Sequence, residues 1–487
     1  MKVLLIQPAA PRSHWPKGKM ESRWVPTGLA CIATVLRRAG HSVRALVREE
    51  QLIKNRFDWG AADAQLRRLL DEFHPEMVGL SVFTSMVPEA GSLARLAKEI
   101  CGERVLVVAG GPHPSALPER TLRDCPAVDA IVVGEGEDTM VTLAEKGPAK
   151  GVAGLVYRDG ESFVHTAPRA PETELDRLGP PAYDLFDMKF YTAPTPWLIR
   201  WIKISATNLR TSRGCPNRCR FCAGHVVSGP GVRYHSLDYV TDQLTRAVEQ
   251  FGVKGIHFED ETLGSDRARL LELCERMRRR DLHKRIQWDC LLRVEQADAE
   301  LLKAMKATGC IQVEYGFESG SDAALRRVAK NASAEQNRRA VQLTREAGLR
   351  IFADIMLGLP GETEADIQAT VEFLRWARPD ILSASRLAAL PGTPIYNELP
   401  PDVRDSLDWA DYTYMDLPSA KVNLTAMPAE RFERLYREFD KYFSRPLVAW
   451  ELLRDTPPED RRERRRLRKK LWRFILRHPI RAARLPW

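Results

Sequence analysis

Residues 213–222 read Arg213-Gly214-Cys215-Pro216-Asn217-Arg218-Cys219-Arg220-Phe221-Cys222, and their spacing decides how the rest of the chain is read. Three thiolates at C-x3-C-x2-C, with no fourth cysteine nearby, can hold three irons of a [4Fe–4S] cluster and leave the fourth iron open. An open iron on a low-potential cluster can chelate a small molecule and pass it one electron. The main alternative is structural zinc, which wants a closed tetrahedron usually built from two separated ligand pairs. His225 is the residue that could complete such a set. A disulfide framework fits worse. The nine cysteines among 487 residues are odd in number and mostly scattered, which suits a reducing compartment. Cys31, Cys101, Cys125, Cys274, Cys290 and Cys310 read as small buried hydrophobes.

The length points to two or three domains. A composition of 44% hydrophobic and 29% charged residues is that of a soluble globular protein. No apolar run has transmembrane length, and the opening Met1-Lys2-Val3-Leu4-Leu5-Ile6-Gln7 reads as a strand rather than a signal peptide. A cytoplasmic location is expected. The net charge of +9 is concentrated near the C-terminus, where Arg461, Arg462, Arg464, Arg465, Arg466, Arg468, Lys469 and Lys470 stand almost without interruption.

Over residues 1–145, apolar strand-like runs at 3–7, 43–47, 77–82, 105–109 and 130–133 alternate with helical patterns at 28–39, 62–73, 89–100 and 138–145. Such alternation predicts a doubly wound parallel sheet with helices on both faces. Its ligand would sit at the carboxyl ends of the strands. The residues there are Pro8 after the first strand, Ser81 and Thr84 after the third, Gly110-Gly111-Pro112-His113 after the fourth, and Gly134-Glu135-Gly136-Glu137 after the fifth. Glycines let the backbone approach a bulky flat ligand, and hydroxyls can bond its polar edge. No Gly-x-Gly-x-x-Gly opens the first helix, so a dinucleotide is disfavoured. Residues 146–200 read as a proline-broken linker with a small hairpin at 154–158 and 162–166.

A second βα series spans 201–395. Strands are expected at 206–211, 255–258, 286–291, 311–317, 350–357 and 381–388, and helices at 237–249, 268–279, 299–307, 334–347 and 364–376. The pattern fits a partial (β/α)6 barrel with its chemistry at the strand carboxyl ends. Those ends carry Glu259-Asp260-Glu261, Arg293, Glu318-Ser319, Gly358 with Gly361-Glu362-Thr363, and Leu390-Pro391-Gly392. Arg293 suits a bidentate fork with a carboxylate, or a surface salt bridge. Glu362-Thr363 also suits the start of a helix.

The cysteine run, with Phe221 before its third cysteine, resembles the signature of the radical S-adenosylmethionine (radical SAM) enzymes. Residues 1–145 resemble the cobalamin-binding domain that precedes the barrel in many of them, on Pro26-Thr27-Gly28-Leu29, Gly40-His41, Val78-Gly79-Leu80-Ser81, Gly110-Gly111-Pro112-His113, Val128-Asp129 and Gly134-Glu135-Gly136-Glu137. The resemblance implies that Cys215, Cys219 and Cys222 ligate the cluster and that its open iron binds SAM. It further implies that Asp260 or Glu261 meets the methionine amino group, Glu318 and Ser319 the ribose, and the Gly358 loop the adenine. Pro8, Ser81, Thr84, Gly110, Gly111, Pro112, Gly134, Glu135 and Gly136 would border cobalamin. The Asp-x-His-x-x-Gly of other cobalamin domains is missing, and His14, His41 and His113 do not replace it. Many radical SAM relatives lack it too.

The two-part arrangement resembles the cobalamin-dependent radical SAM methyltransferases, which methylate unactivated carbon through a 5′-deoxyadenosyl radical and methylcobalamin. Oxidative cyclases and ring-rearranging enzymes share the same motifs. A tRNA methylthiotransferase would need a further three-cysteine site, and a plain iron–sulfur electron carrier would leave the strand-end motifs unexplained. A reducing partner such as flavodoxin or ferredoxin is implied.

Residues 396–487 read as a helical C-terminal region. Trp409, Tyr412, Tyr414 and Met415 either line the substrate side of the barrel mouth or, as is commoner for aromatics, pack. From Arg461 on, basic residues interleave with Leu467, Leu471, Trp472, Phe474, Ile475 and Leu476 as an amphipathic helix. It suits a solvated face first, a peripheral contact with the anionic inner face of a membrane second, and nucleic acid last. The substrate is then a small or lipid-like molecule. If the membrane reading holds, anionic liposomes retain the protein at low salt and release it when residues 461–487 are deleted. No retention of the intact chain removes that reading.

Overall fold

The computed structural model describes residues 1–11, 23–147, 151–412 and 422–443, with residues 464, 465, 468, 469 and 472. His14, Tyr414, Met415 and the rest of the basic C-terminal segment lie outside the described residues. No helix among the described residues is long and apolar enough to cross a membrane.

The first sheet contains β1 (Lys2–Gln7), β2 (Ser42–Val47), β3 (Met77–Ser81), β4 (Leu106–Gly110), β5 (Ala130–Val132), β6 (Leu155–Asp159) and β7 (Ser162–His165), in the order β2-β1-β3-β4-β5-β6-β7. β1 to β5 are parallel. Strands covered on both faces read as continuous apolar runs, and β1 shows how. Val3 and Leu5 join one core with Leu29, Ala33 and Leu143, while Leu4 and Ile6 join the other with Leu66, Leu70 and Leu93. The hairpin expected within the linker is not separate. β6 pairs antiparallel with β5, and β7 with β6, so both extend this sheet. The chain order reverses at β1, with β2 on one side and β3 on the other, which puts the topological switch point beside the carboxyl end of β1.

The second sheet is the expected open barrel. β8 (Ala206–Leu209), β11 (Gly255–Phe258), β12 (Gln287–Leu292), β13 (Cys310–Glu318), β14 (Arg350–Leu357) and β15 (Ile381–Arg386) are all parallel and follow one another in sequence order. The short antiparallel pair β9 (Ser212–Arg213) and β10 (Arg233–Tyr234) brackets the cysteine loop. Outward residues of the barrel strands, among them Phe258, Trp288, Val313, Tyr315 and Ile351, pack beneath helices Leu237–Phe251, Arg267–Arg279, Ala299–Ala307, Ala334–Glu346 and Glu364–Ala377.

The end of the expected linker closes the barrel floor. Trp201 packs on Phe352 and Ile381 with Trp197 beside it, and Leu198 and Ile199 pack on Ala206. After the barrel, residues 422–443 return to it. Phe432, on helix Ala429–Phe443, is buried against Gly358, and Arg431 forks onto Glu364 at 2.7 Å through both bonds. This helix falls within the C-terminal stretch that reads as helical, its bounds unmarked in the sequence.

The two sheets meet through their carboxyl ends. One apolar cluster holds Val82 and Met86 from the first, with Leu359 and Leu387 from the barrel and Tyr396 and Trp409 from the segment after it. Asn208, on the inner face of β8 and fully buried, grips the chain before the first helix. Its Nδ2 donates to Val25 O at 3.0 Å and its Oδ1 accepts from Val25 N at 2.9 Å. Asn208→Ala orphans the Val25 amide, a loss of about 1–3 kcal/mol for a buried donor without a partner, while Val25 O keeps the Thr27 amide at 2.8 Å. Thermal unfolding under anaerobic conditions should show a clearly lowered midpoint. An unchanged midpoint would show that this contact does not hold the halves together.

Candidate functional site

The cysteine loop hangs between β9 and β10. Gly214 has φ +91°, and a Cβ there would lie 2.3 Å from Gly231 O, so only glycine fits. Cys219 is buried, Cys215 half-buried and Cys222 exposed. Each sulfur faces an N–H donor: Asn217 Nδ2 at 3.6 Å from Cys215, Arg293 Nη1 at 3.4 Å from Cys219, and the Gly224 amide at 3.4 Å from Cys222. Donors of this kind favour thiolate sulfur. His225 cannot serve as a fourth ligand, because its ring nitrogens face the carbonyl oxygens of Gly229 and Asn217. Among the described residues, no group of three or more His, Cys, Asp or Glu side chains could hold a single metal ion. The donor set fits a cluster bound by three thiolates and leaves the zinc reading without support.

Around the barrel mouth the residues singled out in the sequence divide into those facing the cysteine loop and those turned into the protein. Glu261 Oε2 accepts from the Gly214 amide at 3.3 Å. Asp260 does not join it. Its carboxylate accepts from the Thr211 amide and hydroxyl and from Ser212 Oγ, and burial raises its pKa. It ties β11 to the start of the cysteine loop, and no free carboxylate oxygen is offered to a cation. Glu259 also faces the mouth, accepting from Asn208 Nδ2 at 2.8 Å with Arg210 at 3.4 Å.

Arg293 is buried and already engaged with Cys219, Glu295 and Lys330 O, so the free fork expected for it is absent. Glu318 sits at a register irregularity of β13 with φ +60° and pairs with Lys330 at 2.8 Å, both side chains nearly buried. Gly316 makes room for that pair, since a Cβ there would meet Glu318 Oε1 at 2.5 Å. Lys330 also lies 6.0 Å from the Phe221 ring. It was missed in the sequence, where nothing marks a single lysine in a turn. Ser319 is fully buried, with Oγ bonded to Thr370 Oγ1 at 3.0 Å, and it fastens β13 to helix Glu364–Ala377. Gly358 has φ +88° and donates its amide to Glu362 Oε2 at 2.7 Å, as does Leu359 at 3.3 Å. Glu362 therefore braces the Gly358 loop, burial pushes its pKa up to about 7, and Thr363 caps the helix in a reciprocal box with Asp366.

The barrel lumen carries polar residues that went unnoticed in the sequence. His257 Nδ1 lies 2.9 Å from Asp289, whose other oxygen accepts from Gln312 at 3.1 Å. Glu314 and Asp354 contact each other from neighbouring strands. Burial lifts both pKa values, and the Glu314 charge lifts Asp354 further. The available signal was a polar or charged residue interrupting otherwise apolar strands, as in Gln312-Val313-Glu314 and Ala353-Asp354-Ile355.

At the carboxyl edge of the first sheet, Pro8 is buried while Ser81, Thr84, Gly110, Gly111, Pro112, Gly134, Glu135 and Gly136 are half-buried. Phe83, between Ser81 and Thr84, is 47% exposed. Gly111 has φ +99°, and a Cβ there would come within 3.1 Å of the Val82 backbone. Thr84 Oγ1 lies 3.3 Å from Nδ1 of His113, a buried histidine whose pKa burial lowers to about 4 and whose ring meets Trp409 edge-on. Trp409 donates to Asp124 at 2.7 Å and Tyr412 to Ala389 O at 3.0 Å, so both pack. Glu135 turns away from the edge. Its carboxylate forks with Arg233 at 2.7 and 2.8 Å and lies 3.3 Å from Arg213, which also meets Glu137 at 2.6 Å. The exposed aromatic flanked by half-buried small residues fits a broad flat ligand.

The Radical SAM superfamily model matches residues 209–374, and the B12 binding domain model matches residues 17–144. The chain is 31% identical to the uncharacterized methyltransferase PH0819 of Pyrococcus horikoshii over 92% of this chain and 94% of that protein. It is 26% identical to the anaerobic magnesium-protoporphyrin IX monomethyl ester cyclase of Cereibacter sphaeroides over 85% and 65%. Its fold is like that of the radical S-adenosylmethionine methyltransferase TsrM from Kitasatospora setae, solved with cobalamin and a [4Fe–4S] cluster, with a TM-score of 0.67 at 20% identity over 94% and 92%. With the cysteine loop seated between a barrel mouth and the edge of a doubly wound sheet, the chain belongs to the cobalamin-dependent radical SAM methyltransferase family, which has cyclases among its relatives.

Proposed function

We propose that this protein methylates an unactivated carbon of a small or lipid-like substrate, using a [4Fe–4S] cluster, SAM and cobalamin. The observation that carries the reading is the position of the cysteine loop, pinned by Arg213 and Arg233 directly to the loop that ends β5. When bound, the cluster and SAM supply a hydrogen-abstracting radical, and the corrin supplies the methyl group. Cys215, Cys219 and Cys222 would hold the cluster. Glu261, half-buried at the mouth with Arg210 at 3.8 Å, rather than the buried Asp260, would meet the methionine ammonium. Glu318, held by Lys330, would accept from the ribose hydroxyls, and the Gly358 loop would present backbone to adenine. The Pro8, Ser81–Thr84, Gly110–Pro112 and Gly134–Gly136 edge would border the corrin. A low-potential donor such as flavodoxin or ferredoxin would supply electrons, and the basic C-terminal segment would touch an anionic membrane surface.

Protein purified anaerobically with cobalamin should form 5′-deoxyadenosine together with S-adenosylhomocysteine, and Cys215→Ala should form no deoxyadenosine. Deoxyadenosine without S-adenosylhomocysteine would move the protein to the cyclase chemistry, and deoxyadenosine from the variant would refute the cluster ligands. Glu318→Gln should weaken SAM binding roughly tenfold or more, since a hydrogen bond to a charged group contributes about 1.5–3 kcal/mol. Calorimetric titration of the reconstituted protein measures this, and unchanged affinity would remove Glu318 from the SAM site.

A further inference from the structure

Both arms of the cysteine loop end on the same carboxylate. Arg213 leads into Gly214 and Cys215. Arg233, directly opposite it across the β9–β10 pair, comes just after the loop's return at Gly231. Glu135 receives both guanidinium groups, and Glu137 takes the remaining side of Arg213. All four side chains are nearly buried, between 8% and 13% exposed. The Arg213 guanidinium also touches Cys31 on helix Thr27–Arg38, so two elements of the first half grip it.

Little slack exists between this grip and the thiols. Gly214, the one residue between Arg213 and Cys215, is packed against Gly231 O with no space for a Cβ. Displacing Arg213 must therefore move Cys215. On the other side, Glu135 lies between Gly134 and Gly136. Gly134 is held by its amide to Ser115 Oγ at 3.0 Å, and a Cβ on Gly136 would meet Ile32 at 3.3 Å. The fork geometry of arginine fixes direction as well as distance.

We infer that Arg213, Arg233, Glu135 and Glu137 form a positioning unit that sets the separation between the iron–sulfur cluster and the corrin. The inference rests on the functional reading above and deepens it. The glutamates of the Gly134–Glu137 segment then serve the cysteine loop through their side chains, and the corrin meets only their backbone. The four charges cancel, so the unit works by geometry rather than by a net field on the cluster.

The test is a pulsed-EPR distance between the reduced cluster and the corrin in its paramagnetic Co(II) state, in protein loaded with hydroxocobalamin. Iron, sulfide and corrin contents and the unfolding midpoint are measured beside it. The unaltered protein should give one narrow distance. Glu135→Gln, which keeps shape but weakens both arms, should retain both cofactors and lose the resolved dipolar splitting to a broad distribution. The double variant Arg213→Met, Glu137→Met removes a charge pair together, so no unpaired charge is left buried. It should broaden the distance in the same way. A narrow, unshifted distance in both variants overturns the inference. So does a loss of folding or of the cluster in both, which would make the network a folding device. Unaltered protein that takes up cluster but no corrin refutes the functional reading itself.

Discussion

Burying a charge is costly unless a partner and further hydrogen bonds replace its water. Four charges lie buried where the cysteine loop meets the first sheet, and they satisfy one another almost completely. Glu135 accepts from Arg233 through both oxygens, and its pKa stays below the usual carboxylate range because the two arginines outweigh the cost of burial. Removing Glu135 leaves Arg233 without its carboxylate, and removing Arg213 leaves Glu137 without its arginine. That asymmetry makes the relative placement of the two halves specific in a way an apolar contact cannot. The shared apolar cluster around Val82, Leu359 and Trp409 supplies adhesion, while the ion pairs and the Asn208 clasp on Val25 supply register.

The barrel is built against the usual economy of its fold. Layers of branched side chains normally fill such a lumen. Here the inner face carries His257, Asp289, Gln312, Glu314 and Asp354 above an apolar floor made by Trp201, Phe352 and Ile381. Part of the polar lining is satisfied internally, as in the His257–Asp289–Gln312 chain. In the Glu314–Asp354 contact burial raises the pKa of both carboxyl groups, and the Glu314 charge raises that of Asp354 further, so ionising both there is costly. Stability given up in this way is expected where a site must stay open to a polar guest.

The strands of the first sheet were legible because a parallel strand covered on both faces writes an unbroken apolar run, and the runs at 3–7 and 77–82 fall on β1 and β3. The cysteine loop was legible from spacing alone. Side-chain direction was not taken from the sequence, although alternation offered part of it. His257 faces the lumen, so Glu259 and Glu261 share that side, and Asp260 must turn the other way. Ser319 was likewise assigned by position, but the helix it bonds is fixed only by the fold. Residues 196–200 read as the end of the linker because Pro194 and Pro196 stand there, and Trp201 reads as the start of the barrel series. Their role as floor comes from contacts with β14 and β15, more than 150 residues later in the chain. Glu135 reads as an edge residue of any open sheet, and only its meeting with Arg213 and Arg233 reveals where it points.

Three arginines surround the cysteine loop, and their surroundings give them different work. Arg213 and Arg233 are neutralised by carboxylates and lie beside the arms of the loop, so they act through the backbone. Arg293 reaches a sulfur. Its Nη1 donates to Cys219, while Glu295 and Lys330 O hold the rest of the guanidinium. Hydrogen bonds to cluster sulfurs are among the terms that set a cluster's potential, whereas a fork neutralised by its own glutamates contributes little field. Placement of the loop and the hydrogen bond to Cys219 thus fall to separate residues on separate elements. A change in one need not disturb the other, which is how a single architecture can keep its cluster fixed while the potential of that cluster is adjusted.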